Sequence, residues 1–189
     1  MNLPLILRLD VTGQPVNWIP WQEAVCLYAR GRVAWTAGEY KFPLHGGSNR
    51  LTGETSIVEI NSIIAVKGEN RRHLRRQAPP LNNLELFRRD HNLCLYCGKS
   101  VKISLLTRDH IKPISRGGKN HWLNVVTACK RCNTRKGNKT PEEAGMPLLA
   151  IPYVPNVAEY LVLRNRRILG DQMEFLKMQF NPVDRKWKM

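Results

Sequence analysis

Apolar residues in the first third of the chain alternate as strands require, with one helical stripe among them. Leu3 to Leu9 reads as a strand, and Asp10 to Gln14 as a turn around Gly13. Trp21, Ala24, Val25 and Tyr28 stand at i, i+3, i+4 and i+7 between Pro20 and Gly31, which predicts a helix. Val33 to Ala37 and Ser56 to Val66 are further strands, separated by a loop over Pro43 to Gly53. Residues 1–66 therefore form a small α+β unit. After a basic linker at 67–82, which Ala78-Pro79-Pro80 closes, Asn83 to Asp90 reads as a short helix whose Leu84 and Phe87 pack under the next module. That module, 83–145, follows a β-β-α pattern. It has a strand from Ile103 to His110 stopped by Pro113, a loop centred on Gly117-Gly118, and a short strand Val125-Val126-Thr127. A helix capped by Thr127 follows and stops at Gly137. Beyond it, 146–189 reads as a helical tail. Prolines punctuate its start, a helix runs from Asn156 to Ile168, and Asp171 caps a second helix with Met173, Leu176 and Phe180 on a buried or docking stripe.

Charge narrows the class of partner. Thirty Lys and Arg against fifteen Asp and Glu give a formal charge of +15 in 189 residues, which points to a polyanion, with nucleic acid the foremost. No apolar run approaches the roughly 20 residues that span a bilayer, and the start of the chain does not read as a signal peptide, so a membrane is set aside. Cys26, off its helix's apolar stripe, has no assigned role and fits a reducing cytoplasm. Lys67 to Arg76 carries five Lys or Arg against one Glu, and serves either as a solvated linker or as a phosphate contact.

The chemistry gathers between Cys94 and Thr140. Cys94/Cys97 and Cys129/Cys132 are two Cys-x-x-Cys pairs, each offering two sulfurs from one tight turn, and together they read as a structural Zn²⁺ site. A redox dithiol is the alternative, and the second pair's place beside a basic helix counts against it. The 31 residues between the pairs exceed what a plain zinc ribbon needs, so something is built inside. Cys129, Cys132, Asn133 and Lys136 share one face of the predicted helix, which aims Asn133 and Lys136 towards Asp109 and His110. Neighbours on a regular strand point to opposite faces, so Asp109 and His110 serve one site only if the strand bends. From Ile111 to Thr140 there are eight Lys or Arg and no Asp or Glu. Lys112, Arg116, Arg131, Arg135 and Lys136 are the candidate phosphate contacts.

RDHIKPISRGG, LNVVTACKRCNTRKG and the upstream LCLYCG resemble the HNH endonucleases of the ββα-metal group, in the form stapled by two CxxC pairs. The resemblance runs from about Leu86 to about Gly145. It implies a metal-dependent endonuclease in which His110 is the general base, Asp109 a ligand of a catalytic divalent ion, Asn124 the brace of the loop and Asn133 the second metal ligand. An amide and a carboxylate oxygen suit Mg²⁺ or Mn²⁺. DNA is the implied substrate, with RNA the second class, and two-strand cutting would require a homodimer. Two readings stand against it, a zinc module that only binds nucleic acid and a basic scaffold that docks a larger assembly. The first has no need to keep Asp109, His110 and Asn133 together.

Overall fold

A computed structural model describes residues 3–68 and 78–181 of the chain. They form two compact units, one from 3–68 together with 157–180, the other from 78–156. Most of the basic run at 67–76, including Arg71, Arg72, Arg75 and Arg76, and the cations of 185–188 lie outside the described residues.

The first unit is the expected α+β layer, with one strand more than the sequence suggests. Its strands are β1 (Ile6–Asp10), β2 (Pro15–Ile19), β3 (Val33–Ser48) and β4 (Thr55–Val66), in the order β2-β1-β4-β3, with α1 (Trp21–Ala29) between β2 and β3. β1 and β4 run parallel and the other pairs are antiparallel. Period-two alternation sends Ile6 to one face and Leu7 and Leu9 to the other, so the sheet is apolar on both sides. Ile6, Ile19, Ile60, Ile64 and Ala24 make the core under α1. The opposite core joins Leu7, Leu9, Ile63 and Ala65 to Ala158, Leu161 and Leu176. The last three belong to α4 (Val157–Arg164) and α5 (Gly170–Lys177). The helices expected as a tail are thus the second layer of the first unit. β3 also extends far beyond Ala37, pairing through much of the segment expected as a loop.

Asp171 is not the N-cap residue of α5, although its side chain serves a first-turn N–H. The N-cap is Leu169, whose N–H is taken by the Gln172 side chain at 3.1 Å. Gln172, fully buried, also donates to Leu5 O at 2.9 Å and Ser62 O at 2.8 Å. The Asp171 carboxylate divides its oxygens: Oδ1 accepts from Gln172 N at 2.7 Å in the first turn of α5, and Oδ2 reaches an irregularity in the β3–β4 ladder between Ala37 and Lys41. There it accepts from Glu39 N at 3.0 Å, Tyr40 N at 3.3 Å and the Ser62 hydroxyl. Gly38 has φ +88° at this bulge, and a Cβ there would overlap Ser62 and Asp171.

The second unit contains α2 (Asn83–Arg89), β5 (Leu106–His110), β6 (Val125–Cys129) and α3 (Lys130–Lys136), with short 3-10 turns at Ile103–Leu105, Ile114–Arg116 and Trp122–Asn124. Asn82 caps α2 through Glu85 N. Leu86 and Phe87 are buried, whereas Leu84, expected to pack with Phe87, is exposed. Helix α3 starts later than expected. Thr127 is a fully buried strand residue, and the cap is Cys129, whose sulfur accepts from Cys132 N at 3.4 Å.

A buried ion pair anchors this unit. Arg89 donates from Nε to Asp90 at 2.8 Å, and also to Trp122 O, Val125 O and Tyr153 O, lying 5.6 Å and 5.7 Å from the Trp122 and Tyr153 ring centres. Asp90 accepts from Thr127 N at 2.8 Å. With every N–H donor of Arg89 filled, the charges are compensated in a way that a lone buried ion would not be. Among the described residues no helix is long and apolar enough to cross a membrane.

Asp171→Ala removes the acceptor for two backbone N–H groups at the bulge. The first unit should lose about 1–3 kcal/mol of stability, measured as a lower urea midpoint with an unchanged m-value.

Candidate zinc centre and catalytic site

Two CxxC turns come together at the base of α3. The first follows α2, where Cys94 N donates to Lys99 O and Gly98 N to Cys94 O, closing a tight knuckle in which Gly98 takes φ +69°. The second is Cys129 at the helix cap and Cys132 inside the first turn. The sulfurs of Cys94, Cys97, Cys129 and Cys132 all lie within 4.8 Å of one another. A tetrahedral ion with Zn–S bonds of about 2.3 Å needs sulfurs roughly 3.8 Å apart, so the cluster fits Zn²⁺ with small adjustment. Burial raises the Cys94 thiol, but backbone hydrogen bonds from Cys129, Cys97 and Tyr96 outweigh it and bring it to about 7. Cys132 is pushed up by burial and then by hydrogen bonds with the neighbouring cysteines. Four thiolates this close need a dication between them.

The β5–β6 ladder is regular through Asp109↔Val126 and His110↔Val125, so the strand does not make the bend that would bring both side chains to one face. Side chains therefore sort by alternation. Thr107 and Asp109 face α3, where the Asn133 amide nitrogen donates to Thr107 Oγ1 at 2.9 Å and Arg108 O at 3.4 Å. Its carbonyl oxygen takes no part in those bonds. Arg108 and His110 face the other way, and both meet the Asn120 side chain.

Asp109 is buried, and both of its oxygens are engaged. Oδ2 accepts from the Tyr96 hydroxyl, and Oδ1 from Lys136 Nζ at 3.0 Å. Lys136 also donates to His110 O at 2.8 Å and is only 1% exposed. It was expected to contact phosphate and instead balances Asp109 inside the module. Helical spacing gave its face correctly but could not show that a carboxylate waits there. Tyr96, which sequence reasoning missed, has its phenol pushed well up by burial and next by the bond to Asp109. Its only sequence signal is its place inside the CxxC turn.

Asn124 is buried and ties the loop shut. Its oxygen accepts from Lys112 N at 2.9 Å, and its nitrogen donates to Lys112 O at 3.1 Å and Lys119 O at 2.9 Å. Between those anchors the chain makes a tight return, in which a Cβ on Gly118 would overlap the Lys112 carbonyl. Arg116, another phosphate candidate, pairs with both oxygens of Glu143 and holds that carboxyl down at about 2. Lys112, Arg131 and Arg135 stay exposed, as do Lys119, Lys130 and Lys139.

A sequence model of the HNH endonuclease family matches residues 94–149. Over 67 residues, 32% of this chain, the sequence is 37% identical to a CRISPR-associated endonuclease Cas9 of Campylobacter jejuni. Over 46 residues, 24% of the chain, it is 44% identical to a CRISPR-associated endonuclease Cas9 of Corynebacterium diphtheriae. These matches cover 7% and 4% of those proteins' own length.

Chelation that strips the metal should unfold the second unit, because so small a core depends on the ion for much of its stability. Metal analysis and circular dichroism before and after chelation check this. An unchanged spectrum after full removal contradicts it.

Proposed function

We propose that this chain, whose residues 94–149 are a module of the HNH endonuclease family, is a metal-dependent DNA endonuclease. The observation that carries the reading is the juxtaposition at the end of β5. His110 stands beside Asp109, Asn133 touches the strand from α3, and Asn124 fixes the loop that follows. The unbent strand leaves Asp109 and His110 on opposite faces, so one site can use both only at the strand's end. β5 stops at His110, and a phosphodiester lying across that end would meet groups from both faces.

His110, as general base, takes a proton from a water placed in line with phosphorus. Asp109 and the Asn133 carbonyl oxygen are the groups that would hold a catalytic Mg²⁺ or Mn²⁺, a hard oxygen donor set whose remaining positions water would fill. When bound, such an ion stabilises charge on the phosphate and on the leaving oxygen. The two hydrogen bonds that Asp109 accepts leave one lone pair on each oxygen for it. Tyr96 and Lys136 fix the direction in which those lone pairs point. Asn124 acts as the brace, and the exposed Lys112, Arg131 and Arg135 attract the phosphate backbone.

One observation favours a second reading. Lys136 neutralises Asp109 without any added ion, an arrangement that a non-catalytic zinc module binding nucleic acid would equally tolerate. Plasmid nicking with Mg²⁺, with Mn²⁺ and without metal separates the two, and no cleavage of any DNA form under several metals favours the binder.

His110→Ala should cost a factor of about 10²–10⁴ in cleavage while leaving metal and DNA affinity nearly intact. Asp109→Ala and Asn133→Ala should lose rate that partly returns at high Mg²⁺ or with Mn²⁺, and Asn124→Ala should lose both rate and stability with no such return. Cleavage rate against metal concentration for the four variants checks the roles. Metal rescue of His110→Ala but not of Asp109→Ala would make His110 a ligand instead.

DNA binding should weaken steeply with salt, each neutralised phosphate adding about −0.9 to the slope of log K against log salt. Reversing Lys130, Arg131 and Arg135 to Glu should flatten that slope, whereas Arg116→Gln, whose cation is already paired with Glu143, should change it little.

A further inference from the structure

On the face of β5 away from α3, three side chains meet. Asn120 Oδ1 lies 2.8 Å from Arg108 Nη1 and 3.2 Å from His110 Nε2. An amide's oxygen and nitrogen are easily exchanged in assignment, and an imidazole carries its proton on either nitrogen, so neither contact alone says who donates. Arg108 resolves both. A guanidinium only donates, so the Asn120 atom facing it is the oxygen. That oxygen only accepts, so His110 must present an N–H to it. In the neutral ring the proton is then on Nε2, and the lone pair is on Nδ1.

The position of Asn120 is itself set. The preceding residue, Lys119, has its carbonyl held by Asn124 Nδ2 at 2.9 Å. Gly118, at the close approach to Lys112, fixes how the loop returns to the strand. A chain of contacts thus runs from the brace through the Lys119 backbone to Asn120 and on to the imidazole.

We propose that Asn120, oriented by Arg108, is the positioning residue that holds His110 in its Nε2–H tautomer and leaves Nδ1 as the atom that takes the proton from water. The catalytic part of this assignment rests on the reading of His110 as general base. The tautomer itself does not. Asn120 touches neither substrate nor metal in this scheme, and acts only through the ring.

Two measurements on the full zinc-loaded chain test it. In long-range proton–nitrogen spectra of histidine-labelled protein, at a pH where the ring is neutral, His110 should show its N–H at Nε2. Asn120→Ala should replace that pattern by a mixture of tautomers. In cleavage assays Asn120→Ala should lower kcat by about 10-fold to 10²-fold, less than loss of the base itself. KM, the half-saturating Mg²⁺ concentration, zinc content and Tm should stay unchanged. Asn120→Asp, which keeps an acceptor for both donors, should recover most of the rate. An Nδ1–H tautomer in the unmodified protein, or a tautomer unaffected by Asn120→Ala, overturns the proposal. So does a rate loss that tracks Tm or metal affinity. If the unmodified chain cuts no DNA, the nuclease reading fails and takes the catalytic part with it, while the spectra still decide whether Asn120 sets the ring.

Discussion

Antiparallel pairing between Leu106–His110 and Val125–Cys129 is the constraint on which the second unit depends. Side chains on a paired strand alternate, so an unbroken register hands Asp109 to α3 and His110 to the loop. Each is then met by what the chain brings to that face. Towards α3 the carboxylate finds Lys136 and the Tyr96 hydroxyl, and towards the loop the imidazole finds Asn120. A slip of one residue would exchange the two environments, placing a carboxylate beside the Asn120 oxygen and an imidazole beside the Lys136 ammonium.

The zinc cluster supports that register at the far end of the ladder. Cys129 is at once the last residue of β6, the cap of α3 and a member of the thiol set, so strand, helix and knuckle share one residue. Tyr96 extends the connection, since it leaves the same knuckle and reaches Asp109. The thiol cluster is thereby linked through the Tyr96 side chain to the proposed chemistry.

How much of this was legible depended on whether the signal was local. Asn124 is marked only by the family resemblance, but the two CxxC pairs, the order strand–loop–strand–helix and the approach of Asn133 to β5 are carried by spacing, and spacing can be read. The destination of Lys136 could not be, because the same position on a basic helix serves a phosphate outside or a carboxylate inside, and only the tertiary approach of β5 decides. The ion pair of Arg116 was hidden for a similar reason, its partner Glu143 lying just past the acid-free stretch. β2 was hidden because Pro15 and Asn17 blur its alternation. β3 was cut short because Pro43, Gly46 and Gly47 look like loop residues, though an edge strand tolerates them. Asp171 does accept a first-turn N–H of α5, but its other oxygen goes to N–H groups at a distant bulge, which spacing along the chain does not show.

The first unit is discontinuous in the chain, with the whole zinc-bearing unit lying between its sheet and the two helices that cover the second face of that sheet. During synthesis from the amino end, residues 78–156 are complete before Leu161 and Leu176 exist. The thiols can therefore take up metal while Leu7, Leu9, Ile63 and Ala65 still lack their cover. On the ribosome the unit encoded second can thus close before the first is complete. A premature stop anywhere between 157 and 176 would release a chain whose zinc module is finished but whose sheet is apolar and uncovered on one side. That is the kind of product that chaperones bind and proteases remove.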